Sequence, residues 1–200
     1  VMGEGARRQR MPRRERRAQL LAVARELIRE RGTDEFTLGR LAERAGVTKP
    51  VVYDHFGDRA GALAELYREF EEQQRAALTA ALADEPLALD AVCRAVAGAY
   101  IDCSLAEGRE LADVVSALDG SAMLVEVRRE AQGAYLALCD DVLASCGVRL
   151  DDAGAQALVG AGDALSRAAL DERVSPAAAR STLTRVLRAL VTSATEPEES

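Results

Sequence analysis

With 200 residues, 48% of them hydrophobic and 4% aromatic, the chain can build one large domain or two small ones, and its 5 prolines sit at chain ends and apparent helix starts among abundant Ala, Leu, Arg and Glu, so an all-α fold is expected. The net charge of −7 is unevenly spread: residues 1–59 hold 14 Arg and Lys against 9 Asp and Glu (+5), residues 60–200 hold 12 against 24 (−12), the pattern of a basic module joined to an acidic one. Cys93, Cys103, Cys139 and Cys146 lack close-pair metal spacing, and neither a secretory signal nor an apolar run of bilayer length is visible, so the expectation is a protein of the reducing cytoplasm with no metal, no cofactor and no membrane partner.

Residues 1–13 are Arg-rich, include Gly3, Gly5 and Pro12, and lack apolar periodicity, which predicts a flexible arm. From about Arg14 to Arg31, Leu20, Leu21, Ala24, Leu27 and Ile28 recur at helical spacing, and Gly32 follows as a stop. Thr37 is placed to cap a short helix holding Leu41, Ala42 and Ala45; Gly46 supplies a left-handed turn and Val47 packs the corner. Thr48 is expected to cap a second short helix running to about Phe56, with Pro50 in its first turn, where a missing N–H is tolerated. Gly57 breaks that helix, and Asp58 caps a long one reaching about Leu82.

Further helices are expected over about 86–105, 108–118, 121–146, 152–171 and 176–193. Pro86 opens the first of these, Ser121 caps the third and Gly147 ends it, and Asp151 and Ser175 cap the last two. The tail 195–200 is acidic and expected to be disordered, and no stretch alternates like a strand. The predicted organisation is an arm (1–13), a three-helix unit (14–58), a larger helical unit (59–194) and a tail (195–200).

The stretch Thr37–Phe56 reads TLGRLAERAGVTKPVVYDHF. A short helix, a corner with Gly46 and a second short helix make a helix-turn-helix. Small Ala42 lets the helices cross closely, while Leu41, Val47 and Val52 hold the angle. The second helix offers Lys49, Tyr53 and His55, a set able to meet phosphates and base edges. Tyr53 also suits a packed aromatic, and His55 a solvated helix end.

The order Leu20-Leu21, Ala24, Leu27, Gly32, Phe36-Thr37, Leu41-Ala42, Ala45-Gly46-Val47-Thr48, Tyr53, His55-Phe56 and Leu63 places turn, small and aromatic residues at fixed offsets. Over Arg17–Tyr67 this pattern resembles the TetR family of transcriptional regulators; beyond Arg68 the resemblance is one of architecture only. It implies an all-α protein, with an N-terminal three-helix helix-turn-helix domain followed by a larger helical domain for dimerisation and ligand binding. It also implies that Thr37 bonds a phosphate at its helix start, that Thr48, Tyr53 and His55 contact phosphate or sugar, and that Lys49, Pro50 and Val51 face base edges. Arg59 would clamp the DNA backbone, and arm residues such as Arg13, Arg14 and Arg17 would reach a neighbouring groove. Leu38 and Gly39 depart from the pattern where a polar or basic pair can make contacts, so the first helix of the motif is expected to read few bases.

The resemblance further implies a homodimer built on the last two helices, an effector held among the others, and release of double-stranded operator DNA on effector binding, hence repression. For the seam, Ala157, Leu158, Ala161, Leu165, Val186 and Leu190 lie among recurrent small and apolar positions, although such faces also pack within one subunit. For the pocket, Phe70, Val96, Tyr100, Cys103, Val115, Met123, Val127 and Cys139 form soft apolar stripes that serve equally as core. If they line a pocket, a small apolar or mid-polar effector of unknown identity suits it, and the long helix from Arg59 past Phe70 is the lever. Asp102, Asp113 and Asp163 are read as solvated. An enzyme is disfavoured, because a single His, no phosphate loop and no nucleophile with an evident base leave no catalytic residues. An architectural DNA-binding protein without an effector is the alternative.

Overall fold

The computed structural model describes residues 11–83, 88–109, 114, 117 and 122–193. The chain divides into two compact units, Val1–Ala62 and Leu63–Ser200, and the division falls inside a helix. In the first unit, α1 (Arg13–Arg31) begins directly behind Pro12, so Arg13 is helical rather than part of an arm. Its stripe of Leu20, Leu21, Ala24, Leu27 and Ile28 is buried as its spacing predicts.

The α2 helix (Leu38–Ala45) is capped by Thr37, whose hydroxyl accepts the Arg40 N–H at 3.2 Å. It stops at Gly46 (φ 65°, ψ 33°), a left-handed conformation that glycine adopts without steric cost, and the Val47 N–H closes the end on the Ala42 carbonyl at 3.0 Å. The α3 helix (Lys49–Phe56) follows. Here the expected Thr48 cap is corrected: Thr48 holds the cap position, but its side chain accepts no capping hydrogen bond. Pro50 has no N–H to give, and the Val51 N–H goes to the Thr48 backbone carbonyl at 3.0 Å. Asp58 does cap α4 (Arg59–Leu82), accepting the Gly61 N–H at 2.7 Å. Gly61 is needed for space, because a Cβ there would run into the Phe56 carbonyl oxygen.

The second unit contains α4 from Leu63 onward, α5 (Leu89–Glu107), α6 (Ala122–Ala144), α7 (Asp152–Leu170) and α8 (Pro176–Leu190). Helix α5 packs on α8, α7 and α6, and α7 packs on α8. Val92, Val96, Ile101, Cys139, Leu143, Leu158, Leu183 and Leu187 are fully buried in their shared core. Asp151 and Ser175 cap α7 and α8 as expected, accepting N–H groups of Gly154 at 2.6 Å and Ala178 at 3.1 Å. The last helix ends at Leu190, short of 193, and the all-α fold carries one short ladder that is too brief to show as alternation in the sequence. Thr192–Ser193 pairs antiparallel with Val148–Arg149, a two-residue ladder on each side. Val191 still closes the helix through its N–H on the Leu187 carbonyl at 3.2 Å, and the pairing beyond it gives the β-branched Thr192 and its neighbour the backbone partners that another helical turn would have supplied.

The expectations for residues 1–10, Pro86, most of 108–118, Ser121 and the tail 195–200 lie outside the described residues. Among the described residues no helix is long and apolar enough to cross a membrane.

Candidate nucleic-acid interface and effector site

Helix α3 has two faces. Val52 is fully buried and Phe56 is 7% exposed, anchoring the helix to its unit, whereas Thr48, Lys49 and Pro50 are exposed and Tyr53 is 51% exposed. Tyr53 is therefore not a packed aromatic. Val51 lies at the margin between the faces. At Gly39, part of the departure noted at α2, a Cβ would lie 3.6 Å from Cε of Lys49 and 3.9 Å from the Thr37 hydroxyl. These are ordinary contact distances, and they place the Lys49 stem near the start of α2, beside Thr37. Leu38 is buried and belongs to the core.

The cations of this unit divide by partner. Arg44 grips Glu30 through two hydrogen bonds, at 2.6 and 3.1 Å, and Arg40 bonds Glu35 at 2.8 Å, so the basic residues of α2 are held by acids of their own unit. Arg13 donates to the Asp54 carbonyl at 3.3 Å, resting on the exposed side of α3. Arg14 and Lys49 are exposed and, among the described residues, have no acidic partner; Arg17 is partly buried and engaged.

Arg59 is reassigned. Its Nε donates to the Phe36 carbonyl at 3.1 Å and its Nη2 to the Thr33 carbonyl at 2.6 Å. A guanidinium fork that joins the α1–α2 loop to the start of α4 acts as a staple, and it commits Nε and Nη2 to carbonyls of its own unit. His55 is half-buried, and its Nδ1 is buried without a partner. Burial first, and then the Arg13 charge, lowers its pKa from the usual imidazole value, so the ring favours the neutral form. His55 is thus not a fully solvated helix end. A groove of about 740 Å³ runs between the first turn of α1 and α3, lined by Arg13, Arg16, Pro50, Val51, Asp54 and His55 among others.

In the second unit, Phe70, Val96, Tyr100 and Cys139 are buried, and Cys103 and Val127 are partly so. Val115 and the Met123 side chain lie outside the described residues. The Tyr100 and Tyr135 rings meet edge-on at 5.8 Å, and the Tyr67 and Phe70 rings lie 6.2 Å apart. Tyr100 donates to Asp163 at 2.7 Å, and Arg128 pairs with the same carboxylate at 2.7 Å. Asp163 is therefore not simply solvated. Burial pushes the Cys93, Cys103 and Cys139 thiols up, Cys139 to about 12, so these three stay protonated and are weak nucleophiles. Among the described residues no group of three metal-ligating side chains forms.

Sequence reasoning overlooked Tyr67, Glu71 and Gln74, which are all buried on α4. Tyr67 donates a short hydrogen bond to Glu71. The other Glu71 oxygen and the Gln74 amide nitrogen are buried without partners. Their signal was present: Tyr67, Phe70, Glu71, Gln74 and Leu78 fall at helical spacing, so a carboxylate and an amide stand on an apolar stripe. Of the seam residues, Ala157 is exposed and Ala161, Leu165, Val186 and Leu190 are partly exposed, but Leu158 is fully buried in the core of its own chain. Leu158 is corrected to a core residue.

A helix-turn-helix presenting an exposed α3 face that bears Lys49, followed by a separate helical unit, is the arrangement of a transcriptional regulator. The sequence profile described as "Bacterial regulatory proteins, tetR family" matches residues 20–66. A stretch of 57 residues is 46% identical to the HTH-type transcriptional activator FasR of Mycolicibacterium smegmatis, covering 28% of this chain and 26% of that protein. The match thus spans about a quarter of its curated relative's length. The fold is similar to that of a Rhodococcus sp. protein described as a TetR-family transcriptional regulator, with a TM-score of 0.71 and 21% identity over 90% of this chain and 100% of the other. It is also similar to that of the transcriptional regulator FadR from Bacillus subtilis in complex with stearoyl-CoA, with a TM-score of 0.70 and 18% identity over 85% of this chain and 96% of the other. At these identities the likeness to the solved structures is one of fold. Over residues 20–66 the chain carries a domain of the TetR family of transcriptional regulators.

Proposed function

We propose that this regulator binds operator duplex as a homodimer through α3 and is released by a small molecule held in its second unit, so that it represses its targets. The observation that carries the reading is the division of α3: Val52 and Phe56 fix the helix from below, and Thr48, Lys49, Pro50 and Tyr53 stand exposed above. Thr37 at the α2 N-terminus and the nearby Lys49 ammonium favour a phosphate or an electronegative base edge, because the helix start carries unpaired N–H groups and partial positive charge. Arg13 and Arg14 at the start of α1 add cationic contacts. Tyr53 supplies a hydroxyl to the sugar–phosphate chain. Val51 contributes an apolar contact at the base edges, and half-buried His55 can donate only from the edge of the motif.

Two copies are required because one short helix reads few base pairs, and half-sites about one turn of duplex apart match a twofold dimer. Ala157, Ala161, Leu165, Val186 and Leu190 are the seam, with small side chains on α7 letting helices approach. The effector shifts operator affinity only by its different affinity for the two states. Helix α4, unbroken from Arg59 to Leu82, is the lever.

Selection of preferred sequences from a random duplex pool tests the DNA half of this reading. Recovery of a two-part site bound by a sedimenting dimer is the expected result. Monomeric protein, or recovery of no preferred sequence, overturns it, and the second outcome favours an architectural binder. A reporter downstream of the recovered site should be silenced; raised expression overturns the repressor assignment alone.

A further inference from the structure

Glu71 is 5% exposed and Gln74 is 1% exposed, yet each leaves a polar atom without a partner, and the hydroxyl of Tyr135, which is 1% exposed, has only the weakly bonding Cys139 thiol beside it. A buried polar atom without a hydrogen bond is costly, and each such atom in a folded protein calls for a physical reason. Tyr135 stands on α6, facing the core that α5 and α7 complete. The charges nearby do not cancel. Asp163 is matched by Arg128 at 2.7 Å, whereas Glu71 receives a hydrogen bond only from the neutral Tyr67. Within hydrogen-bond distance the site therefore holds two carboxylates and one partly buried guanidinium, with Arg75 farther off on α4, and the rings of Tyr67, Phe70, Tyr100 and Tyr135 lie close by.

Access is visible as well. A groove of about 280 Å³ between α4 and α6 is lined by Arg68, Glu71, Glu72, Arg75, Glu130, Ala131 and Ala134. A neighbouring groove of about 340 Å³ shares Glu72, Arg75 and Ala134 and adds Ala76, Thr79 and Leu138. Together they place Ala76, Ala131, Ala134 and Leu138 beside a buried acid, in a lining that also carries Arg68, Glu72, Arg75 and Glu130.

Building on the effector reading above, we propose that Glu71, with Gln74 and Tyr135, recognises a ligand carrying a protonated amine on an apolar body. The ammonium gives the unpartnered Glu71 oxygen the donor it lacks, and it lies among aromatic rings whose faces attract cations. The apolar body follows Ala131, Ala134 and Leu138. Gln74 and Tyr135 bond an oxygen next to the amine where the ligand has one. A fatty carboxylate would meet Glu71 as a like charge and is rejected.

The test is titration calorimetry on the full chain at pH 8 with octylamine, octanol and octanoate, which share one tail and differ in headgroup. Octylamine should bind at least tenfold more tightly than octanol, with octanoate the weakest. Glu71→Gln should bring octylamine to the level of octanol, and Asp141→Asn, an exposed acid of α6 outside both grooves, should leave the ranking intact. Octanoate binding as tightly as octylamine, no binding by any of the three, or an unchanged ranking in Glu71→Gln overturns the inference. If Glu71→Gln fails to fold, the ranking on the native chain decides alone. Duplex binding measured on the same preparation keeps the two readings apart. Loss of duplex binding refutes the regulator whatever the ranking, whereas a duplex binder that prefers octanoate refutes only the amine.

Discussion

Gly162 of α7 stands where a Cβ would lie 2.5 Å from Cε1 of Tyr100 and 2.8 Å from two further ring atoms, so the missing side chain of one residue is the seat of the other. That seat aims the Tyr100 hydroxyl at Asp163, the next residue along. Gly162 therefore serves the interior of its own subunit, although its sequence neighbourhood of small residues also suits a dimer seam.

Gly162→Ala should consequently destabilise the chain by about 1–3 kcal/mol, because a phenol ring wedged between helices yields less readily than a flexible side chain. Gly133→Ala is the matched control: exposed on α6, with nothing within 4 Å of its built Cβ, it should gain roughly 0.5–1 kcal/mol from a stiffer unfolded chain. Urea unfolding of both variants checks the pair. Equal effects would remove the seat from the argument.

Arg59→Ala should lower the stability of the first unit by about 1–2 kcal/mol through loss of the fork on Thr33 and Phe36, and Arg59→Lys should not restore it, since one ammonium cannot reproduce the planar pair of donors. The slope of duplex affinity against salt should stay unchanged. A slope flatter by about one unit would return Arg59 to a phosphate.

Burial raises Glu71 from 4.5 to about 7, with the Tyr67 hydrogen bond opposing the rise. Around it stand Arg75 on its own helix, Tyr100 on α5, Arg128, Tyr135 and Cys139 on α6, and Asp163 on α7. An acid whose folded pKa exceeds its unfolded one binds its proton more tightly when folded. Stability from this group is therefore full below about 4.5, declines as pH rises, and is gone above about 7. The decline is on the order of 3 kcal/mol. Glu71→Gln should flatten it and be the more stable chain at pH 8; thermal unfolding from pH 5 to 8 is the measurement.

Lys49→Ala should relax the preference of the protein among duplexes by roughly tenfold, and Thr37→Val should weaken every duplex alike, as expected of a base-edge contact and a phosphate contact. Anisotropy titrations on the selected site and on a scrambled one distinguish the two. Equal losses on both duplexes for Lys49→Ala would move Lys49 to the phosphates as well.

The local order of the chain was legible from its letters. The stripe Leu20–Ile28, the caps at Thr37, Asp58, Asp151 and Ser175, and the turn at Gly46 depend on residues within a few positions of one another, and short-range geometry settles them. The exposed face of α3 follows from the same periodicity, anchored at Val52 and Phe56. Only tertiary structure decided that Arg59 reaches back to Thr33, that Tyr100 meets Asp163, that Leu158 is core, and that Val148 pairs with Ser193. The partners in these contacts lie from 26 to 63 residues apart, or belong to a core assembled from several helices, so no local spacing encodes them. Glu71 and Gln74 are the plainest case: their positions on the stripe of α4 were visible, but that their polar atoms are left unpartnered is a property of the helices folded around them.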